Sequence, residues 1–62
     1  TYSDRINLFK DTIGNKEFSR QDYLRYNKDI SSATASRDLK NAVGNGLLIK
    51  SGDKRLTKYR FK

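Results

Sequence analysis

Sixty-two residues suffice for one domain with a small core, because a chain of this length buries only about 60% of the surface its unfolded form exposes. The complete absence of Cys and His excludes disulfides, thiolate nucleophiles, zinc sites and the usual general base. Hydrophobic and charged residues each make up 34% of the chain, with four Tyr and three Phe, a polar but foldable composition.

The net charge is +7, and it is unevenly placed. Residues 1–49 carry eight basic and six acidic groups, whereas residues 50–62 carry six basic groups opposed by Asp53 alone. A local positive field of this kind favours polyanions, nucleic acid before anionic membrane or an acidic protein. No apolar run approaches the roughly 18 residues needed to span a bilayer, and no signal-peptide pattern is present. A soluble, cytoplasmic protein without metal or cofactor is therefore expected. The lack of any Met and the start at Thr1 fit a module belonging to a longer chain.

In chain order, Tyr2, Ile6, Phe9 and Ile13 recur at three- and four-residue steps, predicting an amphipathic helix over about 3–13 closed by Gly14 in a left-handed conformation. Leu8 points about 160° from that stripe. It is either a lone exposed apolar residue or a contact to another part of a parent protein. Residues 16–18 read as a short extended connector. Ser19, with Asp22 three residues later, forms the pattern of a capping box for a second helix over about 20–26, whose apolar residues are Tyr23, Leu24 and Tyr26.

After the polar turn Asn27-Lys28-Asp29, Ile30 and Ser31 supply a hydrophobic staple and an N-cap for a third helix over about 32–44. Ala35, Leu39, Ala42 and Val43 predict its buried stripe, and Gly44-Asn45-Gly46 its end. The opposite face carries Ala33, Thr34, Arg37, Lys40 and Asn41, with Ser36 beside them, small and basic residues suited to a base edge or phosphate. A hairpin over about 47–61 follows, with strands 47–50 and 56–61 around a turn containing Gly52 and Asp53. In the return strand Tyr59 and Phe61 share one face, and Lys58, Arg60 and Lys62 the other.

Three helices followed by a two-stranded hairpin predict an α+β chain, mainly helical, in the order of a single winged helix-turn-helix domain spanning residues 1–62. The string Ser31 to Leu39, SSATASRDL, followed by Gly46-Leu47-Leu48 and the Gly52 to Arg55 tip, resembles the C-terminal winged helix of bacterial Fic-domain proteins, over about Phe18 to Phe61. It is similar, less closely, to the N-terminal helix-turn-helix of DeoR-type repressors. The Fic resemblance implies a parent that transfers AMP from ATP to a hydroxyl side chain of a target protein. This chain has neither the His nor the Pro of the catalytic Fic motif, so no catalytic residue is expected in it.

The resemblance maps Ser31 to the helix cap, Thr34 and Arg37 to exposed recognition-helix positions and Leu39 to the core. Asp38 either braces the helix or orients a neighbouring base-contacting side chain. The expected DNA contacts are Ser32, Thr34, Ser36, Arg37 and Lys40 on the helix and Lys54, Arg55 and Lys58 on the wing. Arg37 is the foremost of these, since a guanidinium grips guanine or phosphate in two places. The expected partner is duplex DNA. The alternative is a protein-interaction or regulatory module that positions a parent Fic domain or its substrate without binding DNA.

Overall fold

A computed structural model describes residues 2–62, the side chain of Arg55 excepted. Three helices, α1 (Tyr2–Ile13), α2 (Arg20–Tyr26) and α3 (Ser32–Gly44), precede strand β1 (Leu48–Ser51), a 3-10 turn (Lys54–Leu56) and strand β2 (Lys58–Phe61). The strands form an antiparallel pair, so the layout is that of a winged helix-turn-helix.

Each helix boundary has a local cause. Gly14, at φ +64, donates its N–H to the Lys10 carbonyl and closes α1. The capping box of α2 is complete: Ser19 Oγ accepts from the Asp22 N–H at 3.3 Å, and the Ser19 N–H donates to Asp22 Oδ2 at 2.9 Å. Ser31 Oγ accepts from the Thr34 N–H at 3.1 Å to start α3, and Ile30 packs against the core beside that cap. The end of α3 is a Schellman motif, with Gly46 N–H donating to the Val43 carbonyl and Leu47 N–H to the Ala42 carbonyl. Gly46 sits at φ +79, which a residue with a Cβ adopts only at a cost.

The core consists of Ile6, Phe9, Phe18, Tyr23, Ala35, Leu39, Ala42, Leu48 and Phe61. Phe9 is its centre, edge-on to Phe18 at 4.7 Å and to Tyr23 at 5.1 Å. Phe18 does more than the extended connector expected of it. Its N–H and C=O both pair with Tyr59, at 2.9 and 2.8 Å, which adds one bridge to the hairpin. Its ring also stacks on Tyr59 and Phe61.

The buried stripe of α3 is wider than expected. Val43 packs against the core but is only half-buried, at the edge of a groove it lines with Lys50 and Tyr59, while Asp38 takes a place in the stripe at 2% exposure. A charge tolerates that position only when paired. Arg5 meets it with two bonds, Nε to Oδ2 at 2.7 Å and Nη2 to Oδ1 at 3.0 Å, and the Tyr23 hydroxyl donates to Oδ2 at 2.8 Å. Asp38 thus ties α1, α2 and α3 together, the bracing role. Burial pushes its carboxyl upward, but the Arg5 and Tyr23 hydrogen bonds outweigh this and hold it below its ordinary range. The same contacts raise Arg5, and burial followed by the Asp38 bond raises Tyr23.

The hairpin register pairs Leu48 with Phe61, Ile49 with Arg60, Lys50 with Tyr59 and Ser51 with Lys58. Both strands are displaced from expectation. Leu47 lies outside β1 because its N–H completes the helix-ending motif, and Leu56 lies outside β2 because the 3-10 turn holds it, its N–H bonded to the Asp53 carbonyl at 2.9 Å.

Candidate nucleic-acid interface

The buried stripe of α3 fixes which of its residues face away from the core. Ala33, Arg37, Lys40 and Asn41 are exposed, as expected of an outer face. Arg37 makes no side-chain hydrogen bond or ion pair among the described residues, so its guanidinium retains its full set of donors. Ser32 is exposed in the first turn. Thr34 is half-buried and engaged in the cap, its Oγ1 accepting from Ser31 Oγ at 3.1 Å.

Ser36 lies on the flank of α3 that faces the wing. Its Oγ accepts from Arg20 Nη1 at 2.9 Å, which fixes Arg20, at the first position of α2, beside α3. Between α2, α3 and the wing runs a groove of about 590 Å³ lined by Arg20, Gln21, Ser36, Lys54, Lys58 and Tyr59 among others. A second groove of about 290 Å³ adjoins it, sharing Ser36 and Tyr59 and adding Lys40, Val43 and Lys50. Five cations line the two grooves and no acidic residue does. A concave wall of one charge focuses its field outward and raises the local concentration of anions.

The structure thus gathers Ser36, Lys40, Lys54 and Lys58 of the expected contacts, leaves Ser32, Thr34 and Arg37 outside the groove walls on α3, and adds Arg20 and Lys50. The side chain of Arg55 lies outside the described residues. Lys50 was missed because its role depends on register: opposite Tyr59, it shares the face of the hairpin that looks onto α3. The signal for Arg20 was its position, since a cation in the first turn of a helix opposes the helix dipole. The basic ribbon expected of the return strand divides. Lys58 reaches the groove, whereas Arg60 pairs with Ile49 on the outer face of the wing.

Ionisation of Asp22 accompanies this geometry. Its hydrogen bonds to Ser19, the backbone one foremost, outweigh burial and, with the nearby positive charges of Arg25 and Lys58, hold its carboxyl below the ordinary range. The carboxylate stays charged at neutral pH and completes the box that orients the start of α2. Among the described residues no helix is long and apolar enough to cross a membrane, and no group of three or more Asp or Glu is gathered where a metal ion would sit.

The fold and its grooves define a winged-helix layout with a basic channel between the third helix and the wing. No protein-family model, curated protein or solved structure matches the chain.

Proposed function

We propose that this domain binds duplex DNA, with α3 in the major groove and the wing along the sugar-phosphate backbone, as a cytoplasmic binding module rather than an enzyme. The observation that carries the reading is the pair of adjoining grooves lined by five cations and no acid, next to a helix face made of small, polar and basic residues. Arg20, Lys50, Lys54 and Lys58 act on phosphates, and Arg37 and Lys40 reach base edges. Attraction comes mainly from the wing and selectivity from the helix. The SSATASRDL string supports a place beside the catalytic domain of a Fic-type adenylyltransferase.

The test is fluorescence anisotropy with labelled duplex across a salt series. For about four phosphate contacts, log K against log salt should fall with a slope of about −3.6, at roughly −0.9 per phosphate. Lys50→Glu and Lys58→Glu should each weaken binding and flatten that slope. A slope near zero, or no binding of any duplex at low salt, refutes the proposal.

One observation favours a second reading as a protein-docking module: Leu8 is 58% exposed on α1, away from the basic channel. That reading predicts that Leu8→Lys disrupts assembly of the parent protein while Arg37→Ala leaves its activity intact.

A further inference from the structure

The wing tip holds a large apolar side chain in water on a hydrogen-bonded 3-10 turn. Leu56 is 74% exposed, the most exposed of the large hydrophobic residues described. The chain could spare itself this exposure by a polar residue at no cost to the fold, since Leu56 contributes nothing to the core. Its position is tightly set. Within the six-residue tip between Ser51 and Lys58, the Leu56 and Thr57 N–H groups donate to the Asp53 and Lys54 carbonyls at 2.9 and 3.2 Å. Gly52, at φ +74, lets the backbone close so far that a Cβ there would lie 2.5 Å from the Leu56 carbonyl oxygen.

Strain is concentrated at the same tip. Lys54 sits at φ +50, the single described residue other than glycine with a positive φ, a conformation that costs a side-chain-bearing residue on the order of 1 kcal/mol and persists where the surroundings impose it. Lys54 also lines the larger groove. An exposed apolar residue, a strained cation and a hydrogen-bonded turn therefore coincide at the tip, and the cation also lines the larger groove.

We infer that Leu56 is a wedge, carried by the wing into the minor groove and inserted between base pairs at a flexible pyrimidine-purine step, with Lys54 and Lys58 held to the flanking phosphates. Apolar side chains unstack such steps and kink the duplex, and the bend brings more backbone within reach of the basic surface. A lipid surface is the less suitable occupant, because the cations beside Leu56 line a concave channel shared with α3 rather than a flat collar around the tip. The inference rests on the DNA reading and adds to it a deformation and a sequence preference produced without hydrogen bonds to bases.

The experiment uses short duplexes carrying 2-aminopurine at TA steps or within A-tracts, whose fluorescence rises on unstacking, titrated with the native chain, Leu56→Ser and Leu56→Phe. The native chain and Leu56→Phe should raise the signal at TA steps and not in A-tracts. Leu56→Ser should abolish the rise and weaken binding about tenfold, the worth of removing most of a leucine side chain from water, with the salt slope unchanged. Because Leu56 lies outside the core, its variants should melt at the native temperature. Binding with no fluorescence change and no effect of Leu56→Ser overturns the wedge and leaves DNA binding standing. Failure to bind any duplex at low salt overturns both, and Leu56-dependent binding to phosphatidylserine vesicles in that case assigns the tip to lipid.

Discussion

The buried carboxylate of Asp38 gives the domain a dependence on pH whose direction one substitution should reverse. In the native chain Arg5 and Tyr23 hold this carboxyl below its ordinary range against the opposing effect of burial. A group depressed on folding contributes stability above its unfolded pKa, near 4, and the contribution is lost as pH falls through the folded value. Native stability should therefore decline on acidification below about pH 5. Arg5→Leu removes the guanidinium and leaves a carboxylate whose side chain is 3% exposed, with a single hydroxyl bond to Tyr23. Burial, the largest influence on Asp38, is then opposed only by the Tyr23 hydroxyl and the nearby charge of Arg37, and should raise its pKa above the unfolded value. The folded state would then bind a proton more readily than the unfolded one, so stability should rise as pH is lowered from neutral toward that raised pKa.

Removing one partner of a buried pair costs about 3–5 kcal/mol. The Arg5 side chain is 26% exposed, which places the loss near the lower figure, about 3 kcal/mol at pH 7. A chain of this length has about 3–9 kcal/mol of stability in all, so the variant is left marginal. Urea unfolding followed by circular dichroism, with a slope of about 1 kcal/mol/M for so small a domain, should move its midpoint down by about 3 M. An Arg5→Leu midpoint unchanged at pH 7, or one that falls on acidification as the native midpoint does, refutes the buried-charge argument.

Tyr23→Phe removes the hydroxyl donor to Asp38 at unchanged ring packing and should cost about 1–2 kcal/mol at pH 7, measured by urea denaturation. Because the Tyr23 pKa is raised on folding, native stability should fall as pH rises above about 10, and Tyr23→Phe should lack that loss. Gly52→Ala sets a methyl against the Leu56 carbonyl oxygen at a φ that favours glycine. Amide chemical shifts across the wing tip should change while those of α1 do not, and DNA affinity should drop; native shifts at the tip would refute the close approach. Ser31→Ala deprives the Thr34 N–H of its acceptor and should lower the stability of the domain by about 1 kcal/mol, read from thermal denaturation.

The helices were legible because their signals are local. Ser19 with Asp22, Ser31, Gly14 and Gly46 each satisfy backbone groups within a few residues of themselves, so the spacing of letters is enough to place them. The channel was only partly legible, for it is made by distant segments. Nothing near Lys50 in the chain indicates that it faces Lys40 across a groove; that follows from the register of β1 against β2. Likewise Asp38 reads in the sequence as a brace of the helix or as the orienter of a base-contacting side chain, and only Arg5, brought to it from 33 residues away, shows what it braces against. The tip departed from a regular strand because closure of the backbone at Gly52 and the 3-10 turn set Leu56, while hydrophobic alternation alone would have carried the strand back to it.

The bridge between Phe18 and Tyr59 joins positions 41 residues apart, and it makes the wing inseparable from the rest of the molecule. A truncation that ends before β2 would take Tyr59 and Phe61 from beside the ring of Phe18 and strand the N–H and C=O of Phe18, which now bond to Tyr59. Deleting the wing would therefore melt the domain instead of yielding a wingless binder, and any role of the wing has to be read from point variants at its tip. The same closure sets the order of events in folding: the helices can form from neighbouring residues, but the channel exists only after the last strand returns to the loop before α2. The amides of Phe18 and Tyr59 should accordingly exchange with solvent only through global unfolding, so that the surface proposed to meet DNA is as durable as the fold itself.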